Sequence, residues 1–343
     1  MKSIIRMYII VILLFLLWGS AAFGQGTLQY ADIGDYSLEN GQIIRDCRIA
    51  YRTLGVLNVS KSNAVLFPTW FAGTTQELID LGLIGPGKLA DSSKYFIVAV
   101  DAFGNGVSSS PSNSKHQPGQ TFPQFSIKDM VNAQHLLLTR HLHLARLHGI
   151  IGISMGGMMT YQWMVSYPDF MNKAVAIVGS PRLTSYDLLL WEAELSAIDI
   201  AQDNPERKNT AIKTLAAIHN LHLRTPHYIS INTAPKTVPL FLSAAEKDIM
   251  KYNASNWAWQ LKAMMNHDIY RPFGNSVEHS AEAVRAKTFI IWAQQDLMVN
   301  PEPAQTYAKH LQADTFVLTG DCGHLAFLCE GEILRETVKR FLD

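Results

Sequence analysis

A serine set between glycines, Gly152-Ile153-Ser154-Met155-Gly156, stands where the apolar run LHGIIGIS gives way to a helix-like stretch, Met155–Tyr167, that Pro168 stops. Glycines at those positions let a strand turn sharply into a helix and lift the serine oxygen clear. A serine hydroxyl is a poor nucleophile near neutral pH, so it needs a base within hydrogen-bond reach and a carboxylate behind that base. Two late apolar runs supply both, because Asp296 follows KTFIIWAQ and His324 follows DTFVLTG. The chain order Ser, Asp, His is the one that accompanies a strand-to-helix serine elbow. Asp321 is nearer to the histidine but precedes it in the same turn, which leaves Asp296 as the preferred acid. Without chemistry, the same residues would be a Gly/Ser helix start, a loop aspartate capping the helix at Pro301 and a buried, hydrogen-bonded histidine.

Acyl transfer also needs N–H donors for the oxygen that becomes negative. Met155 supplies the first, and the second is expected from PTWFAGT, where Phe71 or Trp70 is the candidate. Other tempting groups carry less. His141, His143 and His148 cluster in HLHLARLH, but no carboxylate or cysteine stands at ligand spacing, so no metal is expected. GLIGPGK, Gly82–Lys88, imitates a phosphate loop, yet Leu89 occupies the position of the magnesium-binding Ser/Thr, and helix-like TTQELIDL rather than a strand precedes it. No cofactor is required.

The elements that must hold these residues are legible as an alternation. Two β-rich stretches between Leu28 and Thr53 flank Glu39-Asn40-Gly41, whose Asn-Gly pair suits a type I′ hairpin turn. Short apolar runs follow at AVLFPT, YFIVAVD, LHGIIGIS, KAVAIVGS, KTFIIWAQ and DTFVLTG, most of them with the unbroken apolar character of strands buried on both faces. Helix-like segments separate them, such as Ile127–Arg140 with Met130, Ala133 and Leu137 on one side. Such alternation implies a mostly parallel, doubly wound sheet. The Ser-, Gly-, Pro- and Asn-rich stretch Gly104–Gln120 is a long loop after a strand end, where folds of this kind build ligand contacts. Residues 183–286 break the rhythm with helical patterns, Trp191–Ala201 and Trp257–Met265, and are expected to form an inserted cap over a core of 25–182 and 287–343. In the second pattern Trp257, Leu261, Met264 and Met265 share one helix face and are expected in the core.

Composition bounds the rest. A 343-residue chain that is 48% hydrophobic can bury a large core, and 29 basic against 29 acidic residues leave no excess charge to hold nucleic acid. Lys2 and Arg6 precede an apolar run, Ile9–Trp18, and small residues follow at Gly19–Gly24. This is the pattern of a cleavable secretory signal over 1–24, too short to span a membrane, and it makes the protein exported to periplasm or medium. Of three cysteines, Cys47, Cys322 and Cys329, at least one must lack an intrachain partner. Cys322 and Cys329 could bridge, but GHLAFL between them reads as a strand-to-helix turn, so packed free thiols are the preferred reading.

Taken together, YRTLGVLN, SNAVLFPTWFAGT, LIGPGK with YFIVAVDAFGNG, FSIKDMVNAQHLLL, GISMGGMMTYQW and GHLAFL resemble the homoserine O-acetyltransferase family of the α/β-hydrolase superfamily. The resemblance implies an α/β-hydrolase fold with Ser154, Asp296 and His324 as nucleophile, acid and base, and Phe71 at the first-loop oxyanion position. That family carries an aspartate directly after the base, where it helps to hold the homoserine amine, and Leu325 stands there instead. An ammonium facing leucine forfeits about 1–3 kcal/mol of charge-assisted hydrogen bonding. Pro68-Thr69-Trp70-Phe71 likewise replaces the family's histidine-containing turn. The expected function is therefore an exported serine hydrolase of small or medium esters, with water as acyl acceptor. Its rivals are an acyltransferase using an acyl-CoA donor and a non-catalytic binding protein on a hydrolase scaffold.

Overall fold

The computed structural model describes residues 26–203 and 208–343. The export segment expected over 1–24 lies outside the described residues. The chain opens with an antiparallel hairpin of β1 (Gln29–Ser37) and β2 (Ile43–Leu54). Its turn differs from the type I′ form. Gly41 takes a positive φ of 80° while Asn40 does not, and the Leu38 N–H donates to Gln42 O, which makes a three-residue loop. Asn40 is occupied otherwise, accepting from the Gln42 N–H and donating to Gln124 O.

Six further strands complete one sheet: β3 (Ala64–Pro68), β4 (Phe96–Val100), β5 (Leu147–Ile153), β6 (Met171–Ile177), β7 (Lys287–Ala293) and β8 (Asp314–Leu318). Their order is β1-β2-β4-β3-β5-β6-β7-β8. β2 meets β4 antiparallel, and every later pair is parallel. The unbroken apolar runs are explained by burial on both faces: Leu66, Val98 and Ile150 belong to one core, and Val65, Ile97 and Ile151 to the other.

Helices α1 (Thr75–Asp80) and α2 (Ile127–Leu136) both start on capping boxes, Thr74 with Glu77 and Ser126 with Asp129. The helix expected to reach Arg140 changes at Leu137 into a π-helical turn, Leu137–His141. α3 (Met155–Ser166) follows the serine and is buried from Met155 through Met164. It runs through the middle of the molecule rather than along its surface, which is why its sequence is apolar all round.

Between β6 and β7 come α4 (Ser185–Asp203), α5 (Lys208–Leu223), α6 (Pro226–Asn232), α7 (Val238–Ile249), α8 (Ala254–Met265) and α9 (Val277–Glu282). α4 packs on α5 and α8, and α5 on α7. α10 (Glu302–Leu311), a four-residue α11 (Ala326–Cys329) and α12 (Gly331–Leu342) finish the chain.

The cysteines correct an expectation. Cys322 and Cys329 form a disulfide, and the free thiol is the buried Cys47. A 3-10 turn, Gly323–Leu325, runs directly into α11, so two stacked helical turns bring Cys329, seven positions on, back over Cys322, with Cα atoms 6.5 Å apart. Burial pushes the Cys47 thiol up to about 12, which keeps it protonated and inert.

Candidate active site

The serine is placed by a backbone that only its neighbours permit. Ser154 sits at φ 57°, ψ −120°, a region that side chains rarely occupy. Its N–H donates to Ile177 O across the adjoining strand, and its carbonyl accepts from the Met158 N–H. A Cβ on residue 152 would stand 2.0 Å from Gly156 O, and one on residue 156 would stand 2.7 Å from Pro68 O. Both glycines of the elbow are thus required by close approach.

The three residues singled out from distant parts of the chain converge. His324 Nε2 lies 2.9 Å from Ser154 Oγ, and His324 Nδ1 lies 2.7 Å from Asp296 Oδ2. The other oxygen of Asp296 accepts from the Met298 and Val299 N–H groups, at 2.9 Å each, so the carboxylate is fixed by its own turn and does not cap the helix at Pro301. Both Asp296 and His324 are buried. Since a carboxylate only accepts, Nδ1 carries the proton towards Asp296, and Nε2 is left with a lone pair for the serine hydroxyl. Asp321 turns away: its side chain faces His227, with 3.8 Å between Oδ2 and Nε2.

Met155 is the first residue of α3, where an N–H has no partner within the helix. In the early loop, Thr69, Ala72 and Gly73 spend their N–H groups on Val100 O, Gln260 Oε1 and Trp70 O. Those of Trp70 and Phe71 have no hydrogen-bond partner among the described residues, and both residues line the serine's cavity with Ser154 and His324. The arrangement can remove the serine proton and offers N–H groups from two segments to a developing oxyanion.

The cavity holds about 290 Å³, and most of its wall is apolar. Trp257, Leu261 and Met264 belong to the buried core, as expected, and also line the cavity, while Met265 packs against that core outside the cavity. None of the lining residues comes from Gly104–Gln120. That loop closes on backbone instead: Ser108 Oγ accepts from the Ala50 N–H and donates to Asp101 O. Of the clustered histidines, His141 ends the π turn and His148 stacks on Tyr95 at 4.9 Å.

Side chains that sequence reasoning passed over hold this site in place. Gln260 on α8 is fully buried, accepts from the Ala72 N–H at 2.7 Å and donates to Phe103 O at 2.7 Å. Ala72 has a positive φ of 58°, so this bond pins a strained turn directly beside Phe71. Asp101 accepts from Thr75 and Asn105 beneath the same loop, and burial outweighs those bonds to raise its carboxyl above the usual range. Asp187 joins the start of α4 to the acid's loop, accepting from the Thr184 and Asn300 N–H groups. In the cavity wall, Glu194 on α4 takes hydrogen bonds from His219 Nδ1 at 2.9 Å and Trp257 Nε1 at 3.1 Å. No short motif announces Gln260 or Glu194, because their bonds span 25 to 188 residues.

Residues 84–330 match the family described as alpha/beta hydrolase fold. The chain belongs to that family. The ethyl acetate hydrolase of Pseudomonas veronii is 41% identical over 321 residues, covering 88% of this alpha/beta hydrolase and 90% of that protein. A homoserine O-acetyltransferase of Methanosalsum zhilinae is 28% identical over 354 residues, covering 90% of this chain and 71% of that one. Among solved structures, an acetylester hydrolase from Corynebacterium glutamicum superposes with a TM-score of 0.84 at 25% identity, covering 92% of this chain and 95% of that one. The protein is thus an enzyme of the superfamily with esterases and homoserine O-acetyltransferases among its relatives, as its motifs imply.

Proposed function

We propose that the protein is an exported serine hydrolase of small or medium esters that works through an acyl-enzyme. The observation that carries this reading is the unbroken chain Ser154 Oγ, His324, Asp296, at 2.9 and 2.7 Å, opening into an apolar cavity of about 290 Å³. That volume is at the small end for ligand sites, which suits a short ester. In the first step Ser154 attacks the carbonyl while His324 Nε2 takes its proton, the N–H groups of Met155 and Phe71 hold the oxyanion, and Asp296 steadies the imidazolium. The imidazolium then protonates the departing alcohol. In the second step a water gives its proton to His324 and attacks the acyl carbonyl, and the imidazolium returns the proton to Ser154 Oγ as the acid departs.

Leu325 lines the cavity directly after the base and presents no charge to an amino-bearing acceptor. The ethyl acetate hydrolase and acetylester hydrolase relatives support water as acceptor. Export is supported by the signal-like opening of the sequence and by the Cys322–Cys329 bridge, since disulfides persist in oxidising compartments.

The homoserine O-acetyltransferase relatives favour a second reading, in which an alcohol rather than water attacks the acyl-enzyme. Product analysis separates the two. The purified protein is expected to release free acid from p-nitrophenyl acetate and butyrate, to be labelled by a fluorophosphonate, and to lose about 10⁵–10⁶ in kcat in Ser154→Ala. Acetylhomoserine formed from acetyl-CoA and homoserine much faster than free acetate would replace hydrolase by transferase. Absence of both labelling and turnover would point to a binding protein.

A further inference from the structure

The cavity contains a second carboxylate–imidazole pair for which the acyl-enzyme chemistry has no use. Glu194 is 1% exposed at its side chain, and its two oxygens are both taken, one by His219 Nδ1 and one by Trp257 Nε1. Setting a carboxylate and an imidazole into an aromatic wall is costly, and apolar residues of the same volume would pack the space without that cost. The imidazole lies beside the rings that wall the serine, 5.0 Å from Trp257 and 6.3 Å from Phe71, and Phe71 and Trp257 are themselves 4.6 Å apart, edge to face. With Nδ1 committed to Glu194, the second nitrogen, Nε2, has no hydrogen-bond partner among the described residues, while the side chain keeps 16% exposure and lines the cavity with Ser154. Glu194 therefore does for His219 what Asp296 does for His324: it fixes the tautomer and the ring, leaving Nε2 for something that enters.

We propose that His219 Nε2 is a substrate-recognition group that hydrogen-bonds a second oxygen of the ester, away from the scissile bond, so that the preferred substrates are hydroxylated short esters rather than plain alkyl esters. Neutral, Nε2 accepts from a substrate hydroxyl; protonated beside the Glu194 carboxylate, it donates to the hydroxyl oxygen. The surrounding wall is apolar enough that the bond, once made, is shielded from water. Glu194 is a positioning residue and His219 the contact. The inference rests on the hydrolase reading and specifies its substrate class.

The test uses two matched ester pairs that differ by a hydroxyl at nearly constant size. Propyl acetate against 2-hydroxyethyl acetate places the oxygen on the alcohol side, and ethyl butyrate against ethyl 3-hydroxybutyrate places it on the acyl side. For each pair, the hydroxyl-to-alkyl ratio of kcat/KM is compared between the wild type and His219→Leu. In one pair the wild type is expected to favour the hydroxylated ester, and the variant to lower that ratio about tenfold, the size of one hydrogen bond; the responding pair identifies the side of the bond that His219 reads. Glu194→Gln, which keeps shape and an acceptor for Nδ1, is expected to fall between the two. Ratios that stay within twofold of wild type in both pairs overturn the proposal, as does a wild type that favours neither hydroxylated ester. If His219→Leu does not fold, Glu194→Gln alone decides on the same ratios. Failure of the hydrolase reading looks different: the wild type would turn over no ester of either pair and would resist fluorophosphonate labelling.

Discussion

The two walls of the cavity are built on different principles. On the sheet side, polar groups are anchored to backbone: Ser154 through Ile177 O, Asp296 through the Met298 and Val299 N–H groups, and Asp101 through the Thr75 N–H. On the helical side, Glu194 is held by side chains alone, His219 and Trp257. A backbone anchor survives almost any substitution nearby, whereas a side-chain anchor vanishes with one. The proposed chemistry therefore rests on the strand ends, and the proposed recognition on replaceable residues of the helices.

Three measurements sharpen or break that contrast. The largest effect is expected at Asp296, where Asn preserves the shape but presents a different hydrogen-bonding face to His324 Nδ1. Turnover of p-nitrophenyl acetate should fall about 10⁴-fold with little change in melting temperature. A drop below tenfold would mean that the backbone-anchored acid is dispensable.

Gln260 is where the walls join, since a helix side chain holds a backbone turn on the sheet side. Gln260→Ala leaves the Ala72 N–H and Phe103 O unpaired and frees the turn that carries Phe71. We expect kcat to fall about 10–100-fold with a smaller change in KM, below the full loss of an oxyanion donor, and Gln260→Glu to restore part of it by keeping an acceptor for Ala72. A lower melting temperature with unchanged kcat would reduce Gln260 to a packing role.

The smallest effect concerns stability on the helical side. His267, just after α8, is buried, and that burial, with the Arg271 charge nearby, pushes its imidazole down to about 3. The unfolded chain binds this proton near pH 6.5 and the folded protein does not, so the stability present above pH 6.5 is lost progressively as pH falls towards 3. The loss is about 2 kcal/mol by pH 5. Urea midpoints at pH 7.5 and 5.0 should converge in His267→Gln relative to wild type; an equal acid loss in both would show that His267 does not titrate in this way.

The same contrast governs how much of the molecule can be read from its sequence. Gly152 and Gly156 are legible because close approach leaves no other residue, and Asp296 and His324 are legible because the ends of apolar runs mark where a parallel sheet delivers side chains. Glu194, His219 and Gln260 are illegible because helix register, set by packing across the long interval between β6 and β7, decides which way each points. The stripe from Trp257 is a half-success: its face is correctly an apolar one, but periodicity does not tell whether such a face meets another helix or an opening. The Cys322–Cys329 bridge escapes for a related reason, because a strand-to-helix turn and two stacked helical turns look alike over so few residues.

One consequence lies in the twist at Ser154, with its φ of 57°. Glycine tolerates that geometry at no cost, and every residue with a side chain resists it. The proposed nucleophile thus stands at a position where the main chain favours glycine, so the proposed reactivity and conformational ease pull against each other there. The tight seating of neighbouring backbone is what keeps that tension from relaxing.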